Sequence, residues 1–424
     1  MTSYRASPGD IRVAVVTMSF PWPSETFASR DFRALQEHGI AIEVYPMRPP
    51  RPPQEGVAEQ QRVTGIPVRD ASFRGGLRAF LSSAPGVGAV VGLAWRIVLD
   101  RRTSLRERLK CLLLLPRAAH AAAQIVQAQP DVLHLYWGHY PSLVLLLARA
   151  HLPRTELTMF LGAYDLERSL GVSRWAAASC RSIFTHAHAN VPDLKRFLGS
   201  LDDVVVVHRG IDLAAYPTDL EAARSGEPGT VFCATRFITN KGVDQVLRVF
   251  HEVAPEHPGV TLRLAGDGPA RAEMEALARS LGIERSVTFL GWLSEDRILE
   301  EMLRAKLFVA LSRKAGERLP NAVKEAMAAG CVCVVLDAPG MAELIEHGRD
   351  GYIVPPDRPE KAAEHIGRHI GVPGLEPVQR AAAEKIRRHF DVRASAAEYA
   401  RRWHHAVERP GAARERRPTH RREL

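Results

Sequence analysis

Two glutamates with seven residues between them, Glu317 and Glu325, form the segment whose residue types are best suited to chemistry. They flank Pro320, which suits the first position of a helix, and they precede Gly330, which suits the left-handed position after the last turn. Glu317 is therefore expected in the loop before a helix, and Glu325 within that helix. A helix N-terminus attracts phosphate, whereas carboxylates beside it more readily accept hydrogen bonds from hydroxyl groups. A ligand with phosphate in the middle and hydroxyls on both sides is a nucleotide sugar.

Two basic residues upstream, Arg236 and Lys241, follow the predicted strand Thr230–Thr235. A cation at the end of a strand and another at the start of the next helix suit a diphosphate held between them. Isolated basic residues are more often solvated, so this interpretation depends on the glutamates downstream.

Strands and helical segments alternate along almost the whole chain, which predicts α/β layers built on parallel sheets. A segment rich in proline, glycine and charge, Pro217–Gly229, separates two such series. We therefore predict two Rossmann-like domains that face each other across a ligand cleft at the carboxyl ends of their strands. The predicted strands include Ile11–Thr17, Ile42–Tyr45, Asp131–Leu135, Val204–Val207, Thr230–Thr235, Val260–Ala265 and Cys331–Leu336.

The segment from Gly316 to Gly330 resembles the Glu-x7-Glu motif of retaining GT-B glycosyltransferases of the family 4 type. The resemblance implies that Glu317 holds donor-sugar hydroxyls near the reacting carbon and that Glu325 holds the nucleotide ribose. It also assigns Pro320 and Asn321, at the start of the helix, to the donor site.

Other segments extend the resemblance along the chain. Residues 234–242 resemble the family's GRxxxxKG element, in which Arg236 and Lys241 neutralise the donor diphosphate and assist its departure. Gly266 and Gly268 match a GxGP turn beside the nucleotide, although a turn that only reverses the chain has nearly the same sequence. Asp165 matches an aspartate of the family's N-terminal domain.

The loop after the first strand contains Ser24 and Thr26, where many relatives have a glycine-rich loop. These residues are candidates for contact with the donor or the acceptor, and equally for capping the following helix. Two departures from the family pattern are Leu161, where the family often has histidine, and Arg318, where it usually has glycine. They suggest one alternative function, a non-catalytic GT-B subunit of a polysaccharide assembly complex. The other alternative is a different GT-B enzyme class, such as a nucleotide-sugar epimerase or a phosphorylase.

Composition and charge limit the remaining function classes. The chain has 424 residues, 46% of them hydrophobic, five scattered cysteines and a formal net charge of +9. Between Arg74 and Arg117 basic residues alternate with apolar ones, which suits an anionic membrane surface and equally suits helices packed on a sheet with basic outer faces. We find no nucleic-acid-binding motif and no signal peptide, and the cysteines fit a reducing cytosol.

The sequence thus predicts a GT-B protein with an acceptor-binding domain over residues 1–217 and a nucleotide-sugar-binding domain over 218–390. A crossover helix over 391–408 and a disordered basic tail over 409–424 complete the prediction. The expected partners are a UDP- or GDP-sugar donor and a glycan or polyprenyl-linked acceptor, with the protein in the cytoplasm or at the inner face of the membrane. No cofactor or metal is expected, because there is no Asp-x-Asp motif and the alternating His186 and His188 lack an acidic partner at ligand spacing.

Overall fold

The computed structural model describes residues 10–22, 26–48, 63–80, 84–224, 229–314 and 316–408. The chain divides into two compact units. The first contains Met1–Thr185, Asn190–Val207 and Arg393–Leu424, and the second contains His186–Ala189 and His208–Val392. The last helix among the described residues therefore belongs to the first unit.

The strands of the first unit are β1 (Ile11–Thr17), β2 (Ile40–Pro46), β3 (Val132–Leu135), β4 (Glu156–Phe160), β5 (Ser182–Thr185) and β6 (Val204–Val206). They form a parallel sheet in the order β2-β1-β3-β4-β5-β6. Helices cover this sheet: α1 (Thr26–Glu37), α2 (Phe73–Phe80), α3 (Val87–Leu99), α4 (Leu105–Ala128), α5 (Ser142–Ala148), α6 (Ala163–Arg168), α7 (Gly171–Ala177) and α8 (Val191–Leu198).

The second unit has the strands β7 (Thr230–Ala234), β8 (Thr261–Ala265), β9 (Val287–Gly291), β10 (Leu307–Ala310), β11 (Val332–Leu336) and β12 (Tyr352–Val354). They are parallel, in the order β12-β11-β10-β7-β8-β9. Its helices are α9 (Leu220–Ala223), α10 (Val243–Val253), α11 (Arg271–Ser280), α12 (Glu295–Arg304), α13 (Asn321–Ala328), α14 (Met341–Leu344), α15 (Lys361–His369) and α16 (Glu376–His389). The direction of winding reverses between β7 and β10, as in doubly wound nucleotide-binding folds.

The final helix, α17 (Val392–Glu408), packs on the first unit through aromatic side chains. The ring of Tyr399 stacks on that of Phe184 in β5, with the ring centroids 4.1 Å apart. Trp403, which is buried, contacts His134 in β3 with the centroids 5.4 Å apart. The predicted return of the last described helix to the N-terminal domain therefore has a clear physical cause, the packing of two large rings, of which Trp403 is fully buried.

Two local predictions need correction. Pro320 is the N-cap of α13 rather than its first helical residue, and the helix begins at Asn321. Gly330, at φ +75°, is left-handed as expected after the end of this helix. His186 and His188 do not alternate on a strand, because β5 ends at Thr185 and His188 begins a short 3-10 helix.

Among the described residues, α4 is the one helix that is long and apolar enough, by length and composition, to cross a membrane. Within its most apolar window, 44% is buried inside the protein. The buried side chains come mainly from the second half of the helix, where four alanines (Ala118, Ala119, Ala121 and Ala122) and Ile125 join the core of the first unit. All five cysteines are free and buried.

Candidate active site

The site is built on the two loops where the sheet of the second unit reverses its winding. The loop after β7 contains Arg236 and Lys241, and the loop after β10 contains Ser312 and Glu317. Because β7 and β10 are adjacent and parallel, both loops leave the same edge of the sheet. Ligands of doubly wound folds bind at this edge, in the crevice formed where the strand order reverses.

Hydrogen bonds and ion pairs join the two loops directly. The amide of Arg313 donates to the carbonyl oxygen of Asn240 at 2.9 Å. The guanidinium of Arg313 also lies 3.0 Å from the carboxylate of Asp244, in the first turn of α10. These contacts hold the two loops in a fixed position relative to each other. The side chains on the loops therefore also have defined positions.

At the centre of the site, the ammonium group of Lys241 pairs with the carboxylate of Glu317. The hydroxyl of Ser312 donates to the second carboxylate oxygen at 2.5 Å. Burial by itself would raise the pKa of Glu317, but the charge of Lys241 and the hydrogen bonds from Lys241 and Ser312 outweigh it. The pKa of Glu317 is therefore below its usual value, and its side chain is a carboxylate at neutral pH.

Three glycines allow backbone segments around the site to lie close to one another. At Gly242 (φ +72°) a Cβ atom would lie 1.9 Å from the carbonyl oxygen of Leu311. At Gly266 a Cβ atom would lie 1.8 Å from the carbonyl oxygen of Thr235, and at Gly268 it would lie 2.5 Å from that of Phe237. The Gly-Asp-Gly-Pro turn is thus packed against the loop that carries Arg236, an exposed residue.

The helix α13 begins next to this pair without a side-chain cap. Its N-cap residue, Pro320, offers no side-chain acceptor, so the amides of the first turn are not satisfied by a capping side chain. Leu319, buried immediately before it, has φ +46°, an unfavourable left-handed conformation for a bulky residue. The residue in the left-handed region is thus Leu319, whereas the family's glycine aligns with Arg318. Strain of this kind is typical of functional loops.

Positive charge surrounds the same end of α13. Burial, followed by the charges of Arg209 and Lys324, lowers the pKa of His186 to about 3, so its imidazole is neutral at pH 7. Lys324, in α13, is buried and donates to the carbonyl oxygen of Arg209 at 2.7 Å. Basic residues beside a helix N-terminus favour an anionic ligand.

The other predicted residues lie in different surroundings. Glu325 is half-buried within α13, and Asn321 is the first residue of that helix. Thr26 is the half-buried first residue of α1 in the first unit, and Ser24 lies outside the described residues. The structure thus brings Glu317 and Lys241 into contact, and their partner Ser312 was not predicted.

Asp165 is fully buried in the first unit, where its carboxylate accepts two hydrogen bonds. The Nδ1–H of His139 donates to one oxygen at 2.8 Å, and the amide of Gly162 donates to the other at 3.1 Å. His139 follows β3, beside β1, where the strand order of the first unit also reverses. Sequence reasoning missed His139, because the residues of the pair are 26 positions apart and belong to no shared motif.

We expect Asp165→Ala to destabilise the protein by about 1.5–3 kcal/mol, since it leaves a buried imidazole N–H and a buried amide unsatisfied. Chemical denaturation of the purified variant measures this loss. Asp165→Asn, which retains an acceptor oxygen, should recover part of it. A variant as stable as the wild type would show that the pair makes no contribution to folding.

One further group of side chains has the composition of a metal site. His188, His208 and Glu343 place their ligand atoms within 4.8 Å of one another. The carboxylate of Glu343 accepts hydrogen bonds from the amides of His188 and Ala189, both at 2.8 Å, and from Nε2 of His208 at 3.0 Å. Glu343 thus holds the segment that follows β5 within the second unit. Both of its carboxylate oxygens already accept hydrogen bonds from the protein. Glu343 is an acidic partner of His188 that escaped prediction, because 155 residues separate the two in the sequence.

Comparison with known proteins finds similarity to a family model over part of the chain. Residues 216–386 match the model of the family described as glycosyl transferases group 1. An exopolysaccharide phosphotransferase of Streptomyces coelicolor is 38% identical over 164 residues, which is 38% of this chain and 17% of the relative. A GDP-mannose-dependent α-(1-6)-phosphatidylinositol monomannoside mannosyltransferase of Mycobacterium tuberculosis is 25% identical over 270 residues, which is 60% of this chain and 62% of the relative. The chain thus spans less than two thirds of the length of either relative.

Solved structures match the chain over nearly its whole length. HepE of Anabaena, in a crystal structure with UDP and glucose, superposes with a TM-score of 0.68 at 18% identity, covering 92% of this chain and 99% of HepE. Sucrose-phosphate synthase of Thermosynechococcus elongatus gives a TM-score of 0.69 at 14% identity, covering 94% and 99% of the two chains. At these identities the likeness establishes the fold. The chain has the GT-B fold, and its residues 216–386 match the model of the glycosyl transferases group 1 family.

Proposed function

We propose that the protein transfers a hexose from a nucleotide diphosphate sugar to a glycan or lipid-linked acceptor, with retention of the anomeric configuration. The observation that carries this proposal is the ionised carboxylate of Glu317, held by Lys241 and Ser312 just before the uncapped N-terminus of α13. A carboxylate can accept hydrogen bonds from sugar hydroxyls, and the cations beside it can bind phosphate. This combination suits a substrate that contains both hydroxyl and phosphate groups.

Each residue has a distinct role in donor binding. Lys241, Arg236 and the first-turn amides of α13 bind the diphosphate through charge and hydrogen bonds. Glu325, within α13, accepts hydrogen bonds from the ribose hydroxyls. Glu317 accepts hydrogen bonds from the sugar and orients its anomeric carbon.

The chemistry consists of one bond broken and one bond formed at the anomeric carbon. As the bond to the phosphate oxygen breaks, negative charge develops on the diphosphate, where Lys241, Arg236 and the helix N-terminus stabilise it. The acceptor oxygen attacks from the face that the diphosphate leaves, and its proton passes to the departing phosphate oxygen. Because cations of the protein stabilise the negative charge on the diphosphate, we expect transfer to continue in EDTA without added metal.

The names of the relatives support the substrate classes. HepE was crystallised with UDP, and the mycobacterial relative uses GDP-mannose, so the candidate donors are UDP- and GDP-sugars. The exopolysaccharide and phosphatidylinositol mannoside relatives favour an acceptor used in cell-envelope or exopolysaccharide assembly. We place the protein in the cytoplasm, where nucleotide sugars are available and its five free thiols remain reduced.

A thermal-shift screen of UDP- and GDP-sugars tests donor binding. A true donor present at about a hundred times its Kd stabilises the binding-competent fold by about 2.7 kcal/mol, which raises Tm by about 3 °C for a chain of 424 residues. Glu325→Ala should weaken nucleotide binding by roughly tenfold to a hundredfold, the equivalent of about 1.5–3 kcal/mol for a hydrogen bond to a charged group. Glu384→Ala, which changes an exposed glutamate of α16, is the matched control. No shift with any nucleotide sugar would contradict the proposal.

One observation favours a second candidate, a non-catalytic GT-B subunit of a polysaccharide assembly complex. Leu161, at the position where the family often has histidine, is fully buried in the core of the first unit. Donor binding with normal affinity, but without transfer to any extracted lipid or glycan, would support this candidate.

A further inference from the structure

Exposed apolar side chains are concentrated in one part of the first unit. Of the fourteen large apolar side chains that the described residues expose, ten lie between Phe73 and Leu113. Within α3 the exposed ones recur every three or four residues and so share one face: Val87, Val91, Trp95 and Val98. The opposite face packs into the core through Val90, Leu93 and Ile97. A helix that is apolar on both faces normally has both of them covered.

The exposed face continues past the end of α3 into α4. Leu99 ends α3 and is 68% exposed, and Leu105 begins α4 and is 76% exposed. Leu109 follows one turn later on the same side of α4. Arg108 fixes the two helices together, since its guanidinium donates to the carbonyl oxygen of Val98 at 2.6 Å. We call this region the hairpin surface: Val87, Val91, Trp95, Val98, Leu99, Leu105, Leu109 and the turn over residues 100–104.

The charged residues around the hairpin surface fall into two groups. Those of the first group make contacts within the protein: Arg96 lies over the ring of Trp175, Lys110 pairs with Glu107, and Glu107 also accepts from Arg168. Asp100 accepts a hydrogen bond from the hydroxyl of Thr103 at 2.5 Å.

The second group consists of Arg101, Arg102 and Arg106, on and beside the turn. Their side chains are exposed and form no ion pair with any described residue. Because Asp100 and Glu107 are already engaged, these three arginines give the surface a positive edge.

We propose that the hairpin surface docks the protein on a bilayer that contains anionic lipids. An apolar helix face lies at the boundary between headgroups and acyl chains, and adjacent arginines are attracted to anionic headgroups. The exposed indole of Trp95, which is 62% exposed, suits this boundary because it combines an apolar ring with a polar N–H. Binding of a second copy of the chain is disfavoured, since an isologous interface would bring the three arginines of each copy together.

The inference deepens the proposed function, because a lipid-linked acceptor would be met at this surface. Its test needs no donor or acceptor, so it succeeds or fails independently of sugar transfer. The full chain is floated with phosphatidylcholine vesicles, either pure or with about 30% phosphatidylglycerol, at low salt. The wild type should float with the anionic vesicles and be released in about 1 M NaCl, where the Debye length is about 3 Å.

Two variants separate charge from apolar burial. Arg101→Gln/Arg102→Gln/Arg106→Gln should lower partitioning by roughly a hundredfold, about fivefold for each arginine. Arg279→Gln/Arg285→Gln/Arg358→Gln removes the same charge from exposed arginines of the second unit and should leave partitioning unchanged. Trp95→Ser should lower partitioning at least about tenfold, because it removes the largest apolar side chain of the surface. All variants should keep the wild-type Tm, since the altered side chains are exposed.

Fluorescence locates the contact. Brominated lipids should quench wild-type emission more than that of Trp95→Phe, and the difference belongs to Trp95. Three outcomes would overturn the proposal: a wild type that stays in the soluble fraction with anionic vesicles, an equal loss of binding in the control variant, or lipid-free self-association that Trp95→Ser abolishes. The last outcome would assign the surface to a second copy of the chain.

Discussion

Replacing Glu317 with alanine is expected to lower kcat by about 10²–10³-fold while the affinity for UDP or GDP changes by no more than about twofold. In the folded protein this carboxylate is ionised and held by Lys241 and Ser312, ready to accept hydrogen bonds from the donor sugar. In the binding mode that we propose, the nucleotide contacts Glu325 and the start of α13, which the substitution leaves in place. Single-turnover transfer and calorimetric nucleotide binding measure the two effects separately.

Glu317→Gln is the informative companion variant. It keeps the volume of the side chain and one acceptor oxygen, but it removes the charge that pairs with Lys241. We expect an intermediate loss of kcat if hydrogen bonding and charge both matter. Glu384→Ala again serves as the control. Wild-type turnover in Glu317→Ala would remove this residue from the reaction.

Replacing Lys241 with methionine is expected to affect binding as well as turnover. The substitution removes a cation from the diphosphate site, so both nucleotide affinity and kcat/KM should fall, the latter by about 10²–10³-fold. It also removes the main influence that lowers the pKa of Glu317. Burial then acts with less opposition and raises the pKa of that carboxyl group.

Loss of the Lys241 charge should also change the pH dependence of activity. In the wild type Glu317 is deprotonated from neutral pH down to below its usual pKa, so activity is lost only as the pH falls through that lowered value. In Lys241→Met the acidic limb of kcat/KM should move to higher pH. Lys241→Arg, which restores a positive charge, should return the limb toward its original position. An acidic limb that does not move in Lys241→Met would show that this lysine does not control the ionisation of Glu317.

Local patterns predicted the elements of this protein well. The strand Ile11–Thr17 has the predicted bounds, and β11 and β7 differ from their predictions by one residue at one end. Apolar runs of four to seven residues bounded by turn residues identify buried parallel strands, because both of their faces are covered. The helix start was placed one residue early, since Pro320 suits both the N-cap and the first turn.

Contacts between distant segments could not be predicted in the same way. The motif identified Lys241 and Glu317 as separate residues, but their direct pairing depends on β7 and β10 being neighbours in the sheet. The same is true of His139 with Asp165, because no spacing rule connects a loop after β3 with the start of α6. The sequence also contains no indication that Leu319 adopts a left-handed backbone conformation. Backbone conformation at a single loop position depends on the packing around it.

The structure shows which side chains of the basic, apolar stretch from Arg74 to Arg117 are buried and which are exposed. Residues such as Ile97 and Leu115 face the core, as expected for helices packed on a sheet. Trp95 and Leu105 face outward, on the surface that we propose for membrane docking. A sequence window averages over both faces, whereas the exposure of each side chain distinguishes them.

The most direct test of the central claim is the anomeric configuration of the transferred sugar. The donor identified by thermal shift is incubated with a lipid or glycan extract and the wild-type protein, and the product is examined by NMR. We predict a glycosidic bond with the same anomeric configuration as the donor, formed by the wild type and lost in Glu317→Ala. A product of inverted configuration, or epimerisation of the donor without any acceptor, would contradict the account.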